Sequence, residues 1–117
     1  CDCLVQPFRG EGFGLPLLEA RACGLPIVLT AGGAPDDFLG EAGCLRVAAT
    51  RKPLRLQEPC VGTPWLLEPS LDALVAALRA AWRDHGRLAI EARQDAVRVH
   101  EAFSWDAIAQ RVAQRLG

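Results

Sequence analysis

Apolar and polar positions along this chain follow two periods in turn. Residues 3 to 7, Cys-Leu-Val-Gln-Pro, form a short apolar run closed by proline, which predicts a strand buried on both faces and ending at Pro7. From Leu15 the spacing becomes helical: Leu15, Leu18, Ala22 and Cys23 fall near one face, Pro16 suits the first turn, and Gly24 supplies the stop. Pro26 to Thr30 is a second buried-strand candidate, followed by the turn-like Ala31-Gly32-Gly33-Ala34-Pro35. Strand, glycine loop, helix and strand make a βαβ unit. The pattern then predicts a short helix near Asp36 to Leu39 and a third strand from Gly43 to Ala48.

From residue 49 to 64 the prolines at 53, 59 and 64 and Gly62 break any period, so this stretch reads as an excursion loop or hairpin. Ser70 can cap a helix in which Leu71, Leu74, Val75, Leu78 and Trp82 recur at the spacing of an amphipathic helix packed on a sheet. Leu88 to Glu101 gives a second helix with a weaker stripe. Ser104 caps a third, with Trp105, Ile108, Ala109, Val112 and Leu116 on one face. The expected fold class is α/β: a Rossmann-like parallel sheet with flanking helices, the three closing helices packing around it.

Composition narrows the functions that such a fold can serve. Half of the 117 residues are hydrophobic and 23% are charged, the balance of a chain that buries a core. A net charge of -1 with dispersed arginines offers no basic field for nucleic acid or an anionic membrane. No apolar run is long enough to span a bilayer, and the N-terminus has no signal-peptide pattern, so a cytoplasmic location is expected. The chain contains no Met and begins on what reads as the middle of a strand, which predicts a fragment of a larger protein. The cysteines at 1, 3, 23, 44 and 60 show no zinc-ligand spacing and are expected to be small buried hydrophobes in a reducing compartment.

The chemistry concentrates in Glu11-Gly-Phe-Gly-Leu-Pro-Leu-Leu-Glu19, where a glycine loop at a strand end opens onto a helix. The free N–H groups and peptide dipoles of a first helical turn favour phosphate or diphosphate. Glu11 in the loop and Glu19 about one turn into the helix can both flank that amide cradle. Carboxylates beside bound phosphate make sense if they accept hydrogen bonds from the hydroxyls of a ribose or a sugar. The plainer alternative is a solvated Glu11 and a Glu19 that only complements the helix N-terminus, worth about 0.3 to 1 kcal/mol. Gly10, Gly12 and Gly14 do not fit G-x-G-x-x-G, and no Gly-Lys-Ser/Thr follows, so dinucleotide and ATP-hydrolysis sites lose ground.

The stretch from Glu11 to Thr30, with Gly32-Gly33 after it, closely resembles the Glu-x7-Glu signature of retaining, GT-B fold glycosyltransferases of family 4. Glu41-Ala-Gly43, Glu68-Pro-Ser-Leu-Asp-Ala-Leu74 and Phe103-Ser-Trp105 extend the likeness, while about residues 49 to 64 look like an insertion relative to that family. The resemblance implies that residues 1 to 117 are part of a C-terminal nucleotide-sugar-binding domain, with the acceptor-binding N-terminal domain absent. It implies a UDP-, GDP- or similar nucleotide-sugar donor, a glycan, lipid or small-molecule acceptor, no nucleic acid, no cofactor, and transfer of a hexosyl group with retention. It also implies that no Asp-x-Asp metal is needed, so no residue is assigned to a metal. Glu19 would hold the ribose hydroxyls, and Glu11, the expected catalytic residue, would contact the hydroxyls of the donor sugar. The amides of Gly12, Phe13, Gly14 and Leu15 would line the sugar and diphosphate.

The upstream Arg and Lys that neutralise the diphosphate in that family are missing, so the chain alone is expected to be inactive or nearly so. The parent enzyme is expected in the cytoplasm, or on the inner face of the membrane. Two rival classes remain: a non-catalytic module for some other phosphorylated ligand, and a purely structural domain with an exposed apolar edge. His85, His100 and the helical arginines read as solvated surface, and Asp36-Asp37 as a helix N-terminus. Trp65, Trp82 and Trp105 read as core or domain-contact aromatics, with Trp65 the least settled.

Overall fold

In the computed structural model, which describes residues 1–55, 57 and 59–117, the βαβ unit is present as expected. Strand β1 (Leu4–Gln6), helix α1 (Leu15–Ala22) and strand β2 (Ile27–Thr30) lead through a 3-10 turn (Ala34–Asp37) to strand β3 (Cys44–Val47). The three strands are parallel in the order β1-β2-β3, with Val28 between Val5 and Leu45. Central β2 is buried at every residue, which is why its four apolar and β-branched positions were so legible.

Strand β1 departs from the expectation of burial on both faces. It pairs only with β2, and Val5 is 42% exposed. An edge strand has one hydrogen-bonded neighbour, and its outer side is less covered. The chain goes on to strand β4 (Ala49–Pro53), which pairs antiparallel with β5 (Trp65–Pro69), so the expected excursion of residues 49–64 contains one strand of a two-stranded ribbon. Positions 56 and 58 of that excursion lie outside the described residues.

Helices α2 (Leu71–Arg83), α3 (His85–Phe103) and α4 (Trp105–Leu116) close the chain. The Ser70 hydroxyl caps α2 by accepting from the Ala73 N–H at 3.2 Å, and Ser104 caps α4 through Ala107 at 3.1 Å. Helix α1 covers one face of the sheet and α2 the other, while α3, with Leu88, Ala89, Ala92 and Val99 buried, packs mainly against α1.

The helix faces differ from the periodic reading. In α1 the buried residues are Leu17 and Arg21, while Leu15 and Cys23 are exposed. In α2 it is Ala73, Leu74, Ala77 and Ala81 that meet Val28 and Val47, because small side chains permit close approach to the sheet. Leu71, Val75, Leu78 and Trp82 form the neighbouring, exposed stripe. Helix α4 has no buried residue and packs mainly on α3, so the closing helices do not all surround the sheet. Trp82 and Trp105, 88% and 89% exposed, are not core residues. The cysteine reading is corrected as well: only Cys44 is buried, and Cys1, Cys23 and Cys60 are exposed at chain ends, helix ends and loop.

The resulting slab measures 49 × 43 × 19 Å, with a radius of gyration of 16.4 Å against roughly 13 Å for a compact chain of this length. Uncovered apolar faces on α2 and α4 accompany that extended outline.

A buried polar knot holds α1 against α3. Arg21, fully buried, places Nη2 at 2.8 Å from Cys44 Sγ and Nε at 3.5 Å from Asp95 Oδ2. Burial pushes the Cys44 thiol up, and the neighbouring Arg21 charge opposes it. Gly43 sits at the closest approach: its φ is +63°, and a Cβ there would lie 2.9 Å from the Ala92 backbone nitrogen. Its N–H donates to Glu91 Oε2 at 2.9 Å.

Candidate functional site

All three parallel strands end at one edge of the sheet, where an open α/β sheet offers its ligand crevice. The segment after β1, residues 7–14, is pinned there by two ties at Phe8. Phe8 N–H donates to Gln6 O at 3.0 Å, and the Thr30 hydroxyl donates to Phe8 O at 2.6 Å. Thr30 is the last residue of β2 and fully buried, so this hydroxyl is satisfied inside the core.

Glu11 organises the glycine loop. Its Oε2 accepts from the side-chain amide of Gln6 at 3.1 Å, and its Oε1 accepts from the Phe13 backbone N–H at 3.3 Å. A carboxylate has about four acceptor positions, so two such bonds leave capacity for hydroxyls of a ligand. Phe13 stacks on Phe38 with centroids 5.0 Å apart, and Phe38 meets Phe103 edge-on at 5.9 Å. Gly14 is the residue that only glycine suits: its φ is +97°, and a Cβ would stand 3.0 Å from Pro35 Cγ.

Helix α1 begins without a side-chain cap. Leu17 N–H and Leu18 N–H both donate to Gly14 O at 3.0 Å, Pro16 has no N–H, and Phe13 N–H is spent on Glu11. Among the described hydrogen bonds, the N–H groups of Gly12, Gly14 and Leu15 donate to no protein acceptor; of these residues Gly12 and Leu15 are exposed and Gly14 is buried. No atom lies within 4 Å of a Cβ position on Gly10 or Gly12, so the space above both is free.

Glu19 is exposed on α1 and lines a cavity of about 200 Å³ with Leu18, Ala22, His100, Phe103 and Ser104. Glu11 is not part of that cavity. The structure therefore does not bring the two carboxylates into one pocket: Glu11 is turned onto Gln6, and Glu19 faces the end of α3. His100 and Phe103 were not expected here. His100 Nε2 lies 3.0 Å from Ala22 O, a contact across 78 residues that no sequence spacing announces.

The ribbon is the other unexpected part of the site. Leu67 N–H donates to Arg9 O at 2.8 Å, and the Arg9 guanidinium forks onto Glu68, with Nη2 at 2.8 Å from Oε1 and Nε at 3.2 Å from both oxygens. Arg9 holds the Glu68 carboxyl below the usual glutamate value through these bonds. Arg51 stacks over Trp65 at 3.9 Å. Asp36 of the 3-10 turn pairs with Arg46, which also bonds Leu39 O at 2.7 Å. No helix among the described residues is long and apolar enough to cross a membrane.

A parallel sheet whose first loop and helix carry two glutamates eight positions apart is the frame for the comparison with known proteins. Residues 1–61 match the profile of the glycosyl transferases group 1, and the chain belongs to that family. It is 34% identical over 104 residues to the MMP alpha-(1->4)-mannosyltransferase of Mycolicibacterium hassiacum, covering 88% of this chain and 21% of that protein. It is 46% identical over 39 residues to the O-antigen chain mannosyltransferase B of Escherichia coli, 33% of this chain and 10% of that one. Over 36 residues it is 53% identical to the sucrose-phosphate synthase of Spinacia oleracea, 31% of this chain and 3% of the relative. The chain thus spans about a fifth or less of the length of these curated relatives. No solved structure matches it.

Proposed function

We propose that this chain is the donor-binding part of a retaining GT-B glycosyltransferase of family 4, which moves a hexosyl group from a nucleoside-diphosphate sugar to an acceptor hydroxyl. The observation that carries this reading is the Glu11–Glu19 loop and helix at the strand-end edge, with the amides of exposed Gly12 and Leu15 free of protein acceptors between the two carboxylates in sequence. The names of two relatives, both mannosyltransferases, favour a mannosyl donor.

In this account the open amides receive diphosphate oxygens, helped by the positive end of α1. Glu19 accepts from the ribose hydroxyls, and Glu11 uses its remaining acceptor positions for the sugar hydroxyls while Gln6 and Phe13 hold it in place. The bond between the anomeric carbon and the β-phosphate oxygen breaks with its electron pair staying on the phosphate, the acceptor hydroxyl oxygen bonds to the same face of that carbon, and the hydroxyl proton passes to the departing nucleoside diphosphate. The acceptor is a glycan, lipid or small molecule bound largely by residues outside this chain. The 117 residues alone bind donor and turn it over little or not at all, with the parent enzyme working in the cytoplasm or on the inner membrane face.

Calorimetric titration with UDP-glucose and GDP-mannose tests the reading. One of them is expected to bind, and Glu19→Ala to weaken that binding about tenfold or more. Binding of a phosphorylated ligand that is indifferent to Glu19→Ala would point instead to a module for another phosphate compound.

A further inference from the structure

The proposed donor site has an electrostatic deficit. Glu11 and Glu19 bring negative charge, and Arg9, the cation nearest the loop in sequence, is forked onto Glu68. Neutral amides near Glu11 would face a diphosphate in a reaction whose leaving group gains charge. Besides the upstream Arg and Lys that the family resemblance implies, a cation of this chain not already paired with a carboxylate would meet that charge.

We infer that Arg51, held over the indole of Trp65, binds the donor's diphosphate oxygens, so that the β4–β5 ribbon forms a wall of the donor site. This rests on the donor-site reading above and adds a residue to it. Ribbon register supplies the first reason. Arg51 stands directly opposite Leu67, so the two side chains leave the same face of the ribbon. Leu67 Cδ1 lies 3.6 Å from the Cβ position of Gly32, in the loop that follows β2. The adjoining Gly33 packs on Phe8, and Pro35 packs on Gly14, which continues the contact into the glycine loop. The ribbon face that carries Arg51 therefore looks onto the strand-end edge of the sheet.

Anchorage and orientation supply the second reason. The Leu67–Arg9 backbone bond and the Arg9–Glu68 fork tie the ribbon to the loop itself. Arg51 Cζ stands 3.9 Å from the Trp65 ring centroid, a cation–π contact that restrains the guanidinium, a group whose donor fork matches phosphate. Among the described residues no carboxylate pairs with Arg51, in contrast to Arg9, Arg46, Arg83, Arg87 and Arg98. Lys52, opposite Leu66, belongs to the other face of the ribbon and serves as a charge-matched control.

The test titrates the chain with inorganic pyrophosphate, UDP and GDP, following calorimetric heat and the indole N–H signals by NMR. Arg51→Ala is expected to weaken pyrophosphate binding about tenfold or more, the scale of a lost charge-assisted bond. Arg51→Lys should recover part of it, and Lys52→Ala should change it less than about twofold. The Trp65 indole signal should shift on pyrophosphate addition while those of Trp82 and Trp105 stay. Glu19→Ala should leave pyrophosphate binding intact and reduce that of UDP or GDP. If Arg51→Ala binds pyrophosphate as the wild type does, or Lys52→Ala loses as much, the inference is wrong and the donor-site reading survives. If the wild type binds none of the three, both fall together.

Discussion

Gln6 Nε2 donates to Glu11 Oε2 at 3.1 Å, joining the last residue of β1 to the first carboxylate of the loop. Since Glu11 Oε1 also accepts from Phe13 N–H, a single carboxylate spans the loop from its entry to its turn. The substitution Gln6→Leu removes the side-chain donor while keeping side-chain bulk. It is expected to weaken binding of a nucleotide sugar about threefold to tenfold, the usual worth of such a bond, and to leave binding of the bare nucleoside diphosphate unchanged. Paired calorimetric titrations of the two ligands check this, and an equal loss for both would show that Gln6 acts on the whole loop and not on the sugar end.

Gly14 and Gly12 should respond oppositely to alanine. At Gly14 the left-handed backbone and the 3.0 Å approach of Pro35 make Gly14→Ala destabilising by about 1 to 3 kcal/mol. At Gly12 the open space predicts a stability change within about 0.5 kcal/mol, together with weaker diphosphate binding because the new methyl group stands where ligand would approach. Urea unfolding measures the first effect and titration the second.

The grip of the ribbon on the loop should depend on pH. Arg9 holds the Glu68 carboxyl below its ordinary value of 4.5. A carboxyl lowered by folding adds stability above its unfolded value and loses it as pH falls through the folded one. The Arg9–Glu68 tie is therefore complete at neutral pH and is lost in acid, below pH 4.5. NMR titration of the Glu68 side-chain carbon should give a midpoint below 4.5 that moves up toward it in Arg9→Gln. A midpoint indifferent to Arg9→Gln would refute the pairing in solution.

Arg21 and Asp95 predict an asymmetry between two substitutions. Arg21 is fully buried and Asp95 side-chain exposure is only 13%, so Asp95→Ala strands a buried charge and should cost about 3 to 5 kcal/mol. Arg21→Met, which replaces that charge by an apolar chain of similar length, should cost less than about 1.5 kcal/mol or stabilise. Urea midpoints of the two variants and of their combination decide it, since the double variant should lie close to Arg21→Met.

Much of the βαβ unit was legible because its signals are local. Ile27–Thr30 is a continuous apolar run flanked by Pro26 and Gly32, and it is the central strand. Gly14 and Gly24 stand where a left-handed backbone begins and ends α1. The two glutamates could be found by spacing and family likeness alone. The partner of Glu11 could not, because Gln6 lies in the strand and reaches it only once the loop folds back.

Helix faces were misread where two adjacent faces are both apolar. In α2 periodicity favours the stripe of Leu71, Leu74, Val75, Leu78 and Trp82; of these Leu74 packs against Val28 and Val47, and the other inward positions are Ala73, Ala77 and Ala81, which permit closer packing. In α1 an arginine occupies the inward face, which hydrophobic periodicity scores as outward. Its acceptability depends on Asp95 and Cys44, 74 and 23 positions away, and no local pattern encodes them. The tie between Arg9 and Glu68, across 59 positions, was invisible for the same reason.

The central claim is that Glu19 holds the ribose of a nucleoside diphosphate, and a ligand–residue cycle tests it most directly. UDP and GDP are titrated against wild type and Glu19→Ala, alongside their 2′,3′-dideoxy forms. The account predicts that the wild type binds one ribonucleotide at least about tenfold more tightly than its dideoxy form, and that Glu19→Ala binds the two alike. A preference for the ribose hydroxyls that persists in Glu19→Ala would contradict it.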